Sequence, residues 1–187
     1  MLDFAILFGI NNKLSNWILY FLSTGKFNFG GAMDHIDMHT LKALQQDGRK
    51  KNSELAKETG LAPSTMLDRV KKLEDKGIIK GYRAVVDPEK LGLKAQGFAC
   101  ISLDRHRVKD IQVLEDEINK IPNVRACYHI TGRFDYLLHV VAPDLGDLGN
   151  LIKEKLATIP GMGKIETFLV YSEVKLDQGW PIDAAQV

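Results

Sequence analysis

Six polar side chains between positions 64 and 72 have the types and spacing that nucleic-acid recognition requires. They are Ser64, Thr65, Asp68, Arg69, Lys71 and Lys72. Hydroxyls at the start of a helix can bind phosphates or base edges, and the helix N-terminus itself favours a phosphate. Arg69 can donate to two acceptors of guanine at once, whereas Lys72 offers phosphate only its charge. Asp68 repels phosphate unless it accepts from a cytosine amine. This chemistry predicts contact with double-stranded DNA.

A second group of cations precedes this segment at Arg49, Lys50 and Lys51. These side chains would neutralise phosphates without reading sequence. For the lysines taken alone, an ordinary solvated helix face explains the pattern equally well.

The elements that must position these side chains are three short helices. Met66, Val70 and Leu73 form an apolar stripe with helical spacing, which leaves the polar residues between them facing outward. Pro63 suits the first turn of that helix, and Gly77 ends it. A first helix is predicted from Ile36 to Asp47–Gly48, and a second from a cap at Asn52 or Ser53 to Gly60.

Two small residues between the second and third helices favour a helix-turn-helix. Ala56 allows two helices to approach closely, and Gly60 permits the sharp turn between them. The apolar pairs at 78–79 and 85–86 flank Gly81–Tyr82 and predict a strand-turn-strand wing before Asp87–Pro88. The front of the chain is therefore predicted to be a winged helix-turn-helix.

The back half reads strand, helix, strand, strand, helix, strand, with elements predicted at 98–103, 108–121, 124–131, 135–142, 145–159 and 165–174. This order predicts a ferredoxin-like βαββαβ sandwich, so the fold class is α+β. The Ile121–Pro122 and Ile159–Pro160 pairs recur 159 − 121 = 38 positions apart, each between a helix and a strand. We therefore expect two similar halves.

Composition separates these two modules and bounds their partners. With 45% hydrophobic and 26% charged residues, the 187-residue chain can bury a core and is not expected to be disordered. Residues 33–83 hold 11 Lys/Arg against 8 Asp/Glu, whereas residues 91–187 hold 11 against 13. Only the front module therefore has a charge excess that suits a polyanion.

The sequence is predicted to divide into four segments. Residues 1–32 are expected to be an over-extended start or a poorly ordered arm, 33–87 the DNA-binding domain, 88–95 a linker and 96–187 the sandwich. Cys100 and Cys127 show neither Cys-x-x-Cys spacing nor a neighbouring histidine cluster, so we expect reduced cysteines in the cytoplasm and no metal or cofactor. The apolar runs near the start are too short to span a bilayer or act as a signal peptide, so no membrane contact is expected.

From residue 34 onward the chain resembles the Lrp/AsnC family, which comprises the leucine-responsive regulator and its relatives. The matching segments are residues 36–37, 41–49, 54–56, 60–65, 69–74, 77–82, 131–138, 143–144 and 159–161. The pairing of the helix-turn-helix with the Gly-x-Phe-Asp-Tyr hairpin at 132–136 is specific to that family. The sequence departs from the family pattern at Ala62, where a serine usually precedes the proline, and in residues 1–32.

The resemblance implies a DNA-binding transcriptional regulator that forms homodimers through the sandwich. Members often assemble further into octamers and bind amino acids or related metabolites between subunits. It places the effector on Thr131, Gly132, Arg133, Asp135 and Tyr136. The amides exposed at Gly132 can hold a carboxylate and Asp135 can pair with an ammonium, while Leu145 and Phe168 line a side-chain pocket. Alternatively, Gly132 only makes the turn and Asp135 only caps it.

Two other functions stay open at this point. Sirohaem decarboxylases share the two-module architecture, and His106, His129 and His139 are the histidines that such an enzyme would use in the sandwich. A purely structural oligomer, or a partner of another regulator, would assemble without binding DNA. The basic residues of the third helix favour the regulator over both.

Overall fold

The computed structural model describes residues 33–104 and 108–182, which form two compact units. The first contains residues 33–83 together with 177–182, and the second contains residues 84–176. The predicted arm at 1–32 and His106 lie outside the described residues. Two segments are grouped differently from the predicted boundaries, because residues 84–95 fall in the second unit and residues 177–182 fall in the first.

Three helices form the first unit: α1 spans His35–Gln46, α2 spans Asn52–Thr59 and α3 spans Pro63–Asp75. Helix α1 begins at the N-cap Asp34, whose carboxylate accepts from the amides of Ile36 and Asp37. Helix α2 ends at Gly60, which adopts φ +71°, a left-handed conformation that favours glycine. The predicted cap of α2 is wrong, because Lys51 is the residue at that position.

The core of this unit lies where the three helices meet. Ala43 of α1, Leu55 and Ala56 of α2, and Met66 and Val70 of α3 are buried in one cluster. Ala56 is 1% exposed and lies in the cluster shared by the three helices, as a small residue at a close approach of α2 and α3 would. The apolar stripe of α3 is therefore turned inward, as the sequence predicts.

In the structure, the segment that the sequence predicts as the wing differs from the predicted strand-turn-strand pattern. No strand lies between residues 78 and 87, and Val85 and Val86 are exposed, so neither burial nor a hydrogen-bonded neighbour holds them extended. Tyr82 instead donates a hydrogen bond to Glu74 Oε1 at the end of α3. Burial, together with that hydrogen bond, raises the pKa of Tyr82 to about 12.

The C-terminal segment 177–182 packs against α1. Gln45 Nε2 donates to the carbonyl of Trp180 at 2.9 Å, and the Trp180 amide donates to Gln45 Oε1 at 2.6 Å. Gly179 adopts φ +82°, and a side chain at that position would overlap Gln45. The side-chain amide of Gln45 thus acts as both donor and acceptor to the backbone of Trp180.

The second unit is a four-stranded antiparallel sheet with helices on one face. Its strands are β1 at Ala95–Leu103, β2 at Val124–His129, β3 at Tyr136–Ala142 and β4 at Met162–Leu169, in the order β2-β3-β1-β4. Helix α4 spans Val108–Asn119, and α5 begins at Leu145. This is the predicted βαββαβ order, and each Ile-Pro pair joins a helix to a strand.

One face of this sheet is buried and the other is more open. Ala99 and Ile101 of β1 and Leu138 and Val140 of β3 are fully buried with Leu114 of α4. The alternate residues, including Phe98, Leu137 and Phe168, lie on the opposite face, where Phe168 is 53% exposed.

The last helix changes its winding halfway along. It is an α-helix over Leu145–Asn150, capped by Asp144, and a π-helix over Leu151–Leu156. The sequence predicts one uniform helix over residues 145–159, so the change to π-helix differs from the prediction. The bond from the Ala157 amide to the Ile152 carbonyl shows the wider turn.

Candidate nucleic-acid interface and ligand hairpin

Helix α3 presents the predicted polar face to solvent. Ser64, Thr65, Asp68, Lys71 and Lys72 are all exposed, while the stripe of Met66, Val70 and Leu73 on the other side is buried. Neither lysine ammonium forms an ion pair with any residue in 33–104 or 108–182. These charges are therefore available to an external anion.

Arg69 is the exception on this face. Its Nη1 lies 2.8 Å from Asp34 Oδ2 and 2.8 Å from Asp37 Oδ1, and its side chain is 28% exposed. Although partial burial alone raises it, the pKa of Asp34 lies below its ordinary value because the Asp37 amide and Arg69 donate to the carboxylate. The structure thus engages Arg69 within the protein. The guanine contact predicted for Arg69 remains untested.

The basic group before α2 is only partly available. Arg49 and Lys51 are exposed, whereas Lys50 pairs with Glu58 Oε1 at 2.5 Å. Hydrogen bonds from Lys50 and from His39 hold the pKa of Glu58 below its ordinary value. Arg49 and Lys51 are therefore better placed than Lys50 to meet phosphate, and their DNA contacts stay predictions.

Sequence reasoning missed Leu67 on the same surface. Leu67 is 53% exposed and lies between the polar residues Ser64, Asp68 and Lys71 on the outer side of α3. An exposed leucine among polar neighbours can contact the methyl group of thymine. The available signal was its spacing, since Leu67 falls outside the stripe of Met66 and Val70.

The predicted effector hairpin connects β2 to β3. Thr131, Gly132 and Arg133 are exposed at its tip, and Gly132 adopts φ +121°. That φ is one that residues with a side chain rarely adopt, so a glycine is needed for the turn. The tip therefore presents backbone to solvent, as the sequence predicts.

The two other hairpin residues, Asp135 and Tyr136, form their contacts within the second unit. Asp135 Oδ2 accepts a 2.7 Å hydrogen bond from the Leu103 amide, so this carboxylate joins the hairpin to β1. Tyr136 is 1% exposed and donates to Glu115 Oε1 at 2.7 Å. Burial, with this bond, raises the pKa of the Tyr136 hydroxyl. The contact of Asp135 is structural, but its partner lies in β1 and not in the hairpin turn that the alternative named, so neither role predicted for Asp135 is tested. Direct ligand contact by Tyr136 would require movement of this buried side chain.

The remaining predicted effector residues lie apart from one another. Arg133 pairs with Glu166 Oε1 at 2.6 Å, and Lys164 donates to the same oxygen at 2.8 Å. Phe168 lies on the open face of the sheet opposite Phe98, whereas Leu145 begins α5 in the helical layer. One protomer therefore does not gather Leu145, Phe168 and the hairpin into one pocket. A pocket completed by a second subunit stays a prediction.

His129 of β2 and His139 of β3 lie on opposite faces of the sheet. His129 stacks on Tyr136 with ring centroids 4.6 Å apart, and His139 stacks on Phe98 at 5.0 Å. Tyr136 and His139 are three positions apart in β3, so their side chains point in opposite directions. The pair does not line one cavity, which weakens the case for a tetrapyrrole enzyme.

The described residues contain no group of three or more His, Cys, Asp or Glu side chains arranged to hold a metal ion. Within the same residues, no helix is both long and apolar enough to cross a membrane. Cys100 and Cys127 are both free, and burial raises the pKa of the Cys100 thiol.

Family models match both units of the chain. A model described as a winged helix-turn-helix DNA-binding domain matches residues 33–80, and one described as the Lrp/AsnC ligand binding domain matches residues 96–180. The matches thus pair a DNA-binding module with a ligand-binding module in the order observed here.

Curated relatives match over most of their length. A proline dehydrogenase transcriptional activator of Rhizobium radiobacter is 37% identical over 143 residues, which cover 76% of this chain and 92% of the relative. The leucine-responsive regulatory protein of Escherichia coli strain K12 is 36% identical over 146 residues, covering 78% and 89%.

Solved structures share the fold. A transcriptional regulator of Neisseria meningitidis in complex with L-Met superimposes with a TM-score of 0.77 at 30% identity, covering 82% of this chain and 99% of that one. The AsnC protein of E. coli gives a TM-score of 0.71 at 29% identity, covering 78% and 96%.

Proposed function

Because the chain belongs to the Lrp/AsnC family of DNA-binding transcriptional regulators, we propose that it reads DNA through the outer face of α3 and responds to an amino acid. The observation that carries this proposal is the exposed set Ser64, Thr65, Asp68 and Lys72 above a buried stripe in α3. In a helix-turn-helix the second helix lies in the major groove and the first crosses the backbone. Here these helices are α3 and α2.

The surface of α3 offers three kinds of contact. Ser64 and Thr65 lie in its first turn, where hydroxyls and backbone amides meet phosphate. Leu67 offers an apolar contact to thymine, and Asp68 can accept from cytosine. Lys71 and Lys72 neutralise phosphates, so affinity should fall steeply as salt rises.

A homodimer is the proposed DNA-binding form. The sheet face that carries Phe98, Leu137 and Phe168 has no covering layer among residues 84–104 and 108–176 of one protomer. Pairing two such faces would bury this apolar surface, which favours a two-fold symmetric dimer. Two-fold symmetry in turn predicts two half-sites one helical turn or a multiple apart. Assembly into octamers stays a prediction.

The proposed effector is an amino acid or a related metabolite. Support comes from the ligand-binding domain match at 96–180 and from the Neisseria meningitidis relative, which was solved with L-Met. The exposed backbone at Thr131 and Gly132 is a suitable place for its carboxylate. A protein that binds chromosomal DNA must be in the same compartment as the chromosome, so we propose a cytoplasmic location.

Fluorescence anisotropy tests the DNA proposal directly. The protein is titrated into operator-length duplexes obtained by selection from random sequences, at several salt concentrations. We expect specific binding with a log–log salt slope of several units, and footprints with two related half-sites. Assembly without DNA binding would instead support the structural oligomer. Calorimetry with the twenty amino acids tests the effector, and the absence of heat for all of them would contradict that part.

A further inference from the structure

Arg69 differs from the other polar side chains of α3 in what it touches. Its Nη1 alone bridges two carboxylates, at 2.8 Å to Asp34 Oδ2 and 2.8 Å to Asp37 Oδ1. Its neighbours Asp68 and Lys71 are exposed, whereas Arg69 is 28% exposed. Arg69 therefore joins the middle of α3 to the beginning of α1.

The two carboxylates divide their oxygen atoms between separate tasks. Asp34 Oδ1 caps α1 by accepting from the amides of Ile36 and Asp37, which leaves Oδ2 for Arg69. Asp37 Oδ2 accepts from the Asp34 amide at 3.4 Å, which leaves Oδ1 for Arg69. The contacts of the helix cap thus hold both acceptor oxygens toward Arg69, and charge-assisted hydrogen bonds of this kind are strong.

A guanine contact would require Arg69 to leave both partners. Asp37 is 18% exposed and would keep a partly buried carboxylate without its cation, which is unfavourable. The exposed side chains of α3 can meet DNA without any such loss. The geometry therefore separates Arg69 from the residues that face DNA.

We propose that Arg69 is a positioning residue, which fixes α3 on the capped end of α1 and reads no base itself. It acts through Ser64, Thr65 and Lys72, since these residues meet DNA only if α3 is presented at the right angle. This inference rests on the proposed DNA contact of α3. It implies that loss of Arg69 weakens the contacts of the whole outer face of α3 and does not single out one base pair.

Four variants separate positioning from base reading. Arg69→Met removes the charge and keeps the length, and the double variant Asp34→Asn with Asp37→Asn removes the partners while asparagine can still cap α1. The third combines all three changes, and Arg69→Lys is the conservative replacement. Lys72→Met is the matched control on the same helix, because it also removes one positive charge and Lys72 forms no ion pair with Asp34 or Asp37. Affinity is measured for the selected operator, its single-base variants and an unrelated duplex.

We expect Arg69→Met and the double variant each to lose roughly three- to tenfold in operator affinity, with no single base preference lost selectively. The combined variant should be no worse than Arg69→Met, and Arg69→Lys should recover part of the loss. Lys72→Met should mainly flatten the salt dependence. The proposal is overturned if Arg69→Met relaxes preference at one base pair while the double variant binds like the parent protein.

Urea unfolding of the same proteins provides a second, DNA-independent measurement. If Arg69 and the carboxylates interact, the destabilisation in the combined variant is smaller than the sum of the two separate effects. Additive effects would overturn the proposed tie between α1 and α3. If the parent protein binds no DNA at all, the proposed function fails, while the unfolding measurements still decide whether the tie exists.

Discussion

The carboxylate of Asp135 and the backbone amide of Leu103 form a 2.7 Å hydrogen bond that joins the β2–β3 hairpin to the end of β1. The acceptor is a charged oxygen, and hydrogen bonds to charged groups contribute about 1.5–3 kcal/mol. The residue first expected to hold a ligand ammonium therefore also has a structural task, and experiments on it must separate the two.

Replacing Asp135 in two ways makes this separation. Asp135→Ala should lower the free energy of unfolding by about 1–3 kcal/mol, because the Leu103 amide loses its acceptor. Asp135→Asn keeps an acceptor oxygen and should retain most of the stability. Chemical denaturation checks both values, and calorimetry with the best amino-acid ligand checks binding. A stable Asp135→Asn protein that binds the ligand as the parent does would show that no ammonium pairs with this carboxylate.

Lys72→Ala should weaken DNA binding for all sequences and reduce the magnitude of the log–log salt slope by about 1, because one phosphate contact releases about one counterion. Anisotropy titrations from low to high salt measure this slope. Lys153→Ala, which removes an exposed lysine from the other unit, is the control and should leave the slope as it was. An unchanged slope for Lys72→Ala would place Lys72 away from the phosphates.

Leu67→Ala should reduce operator affinity about fivefold and relax preference at one thymine position, since burying one or two methyl groups contributes about 1 kcal/mol. Binding to duplexes that carry uracil in place of each thymine locates the position, because uracil lacks the methyl group. Val113→Ala removes a comparably exposed apolar side chain in the second unit and is the control. Equal losses for Leu67→Ala on thymine and uracil duplexes would contradict the proposed contact.

Stability should depend on the ionisation of Asp34, whose pKa is lowered in the folded chain. A lowered folded-state pKa means that the stabilisation is present above the ordinary value of 3.8 and is lost as pH falls through the folded-state pKa. Asp34→Asn should therefore be less stable than the parent near pH 7, and the two should converge as the pH falls below the folded-state pKa of Asp34. Urea unfolding across this range measures the difference. A gap that stays constant with pH would remove Asp34 ionisation from the account.

The parts of the fold that the sequence predicted depend on local patterns. The stripe of Met66, Val70 and Leu73, the turn at Gly60 and the order of strands in the second unit all follow from spacing within one or two elements. The exposed face of α3 follows from the same spacing. The stripe and the exposed face of α3 were predictable because the backbone period decides which side of a helix a residue occupies.

The features that escaped prediction depend on partners distant in sequence. Arg69 has the chemistry of a guanine reader, and only the fold places Asp37, 32 positions earlier, beside it. The wing pattern at 78–87 has suitable residues, but strands also need a hydrogen-bonded neighbour, which sequence pattern does not supply. The π-helix over Leu151–Leu156 shifts the hydrogen bonds by one residue, and the helical pattern of apolar residues used for the prediction does not distinguish the two forms.

The paired hydrogen bonds between Gln45 and Trp180, 135 positions apart, bear on how this protein can be dissected. An excised fragment that stops at residue 83 would contain all three helices. It would lack the C-terminal segment whose backbone forms hydrogen bonds with Gln45. A hybrid regulator that couples residues 33–83 to the sensor module of a relative would lose the Gln45–Trp180 hydrogen bonds unless residues 177–182 of this chain were kept. An exchange of modules with a relative therefore needs two junctions in this chain. One follows the three helices after residue 83, and the other lies near residue 177.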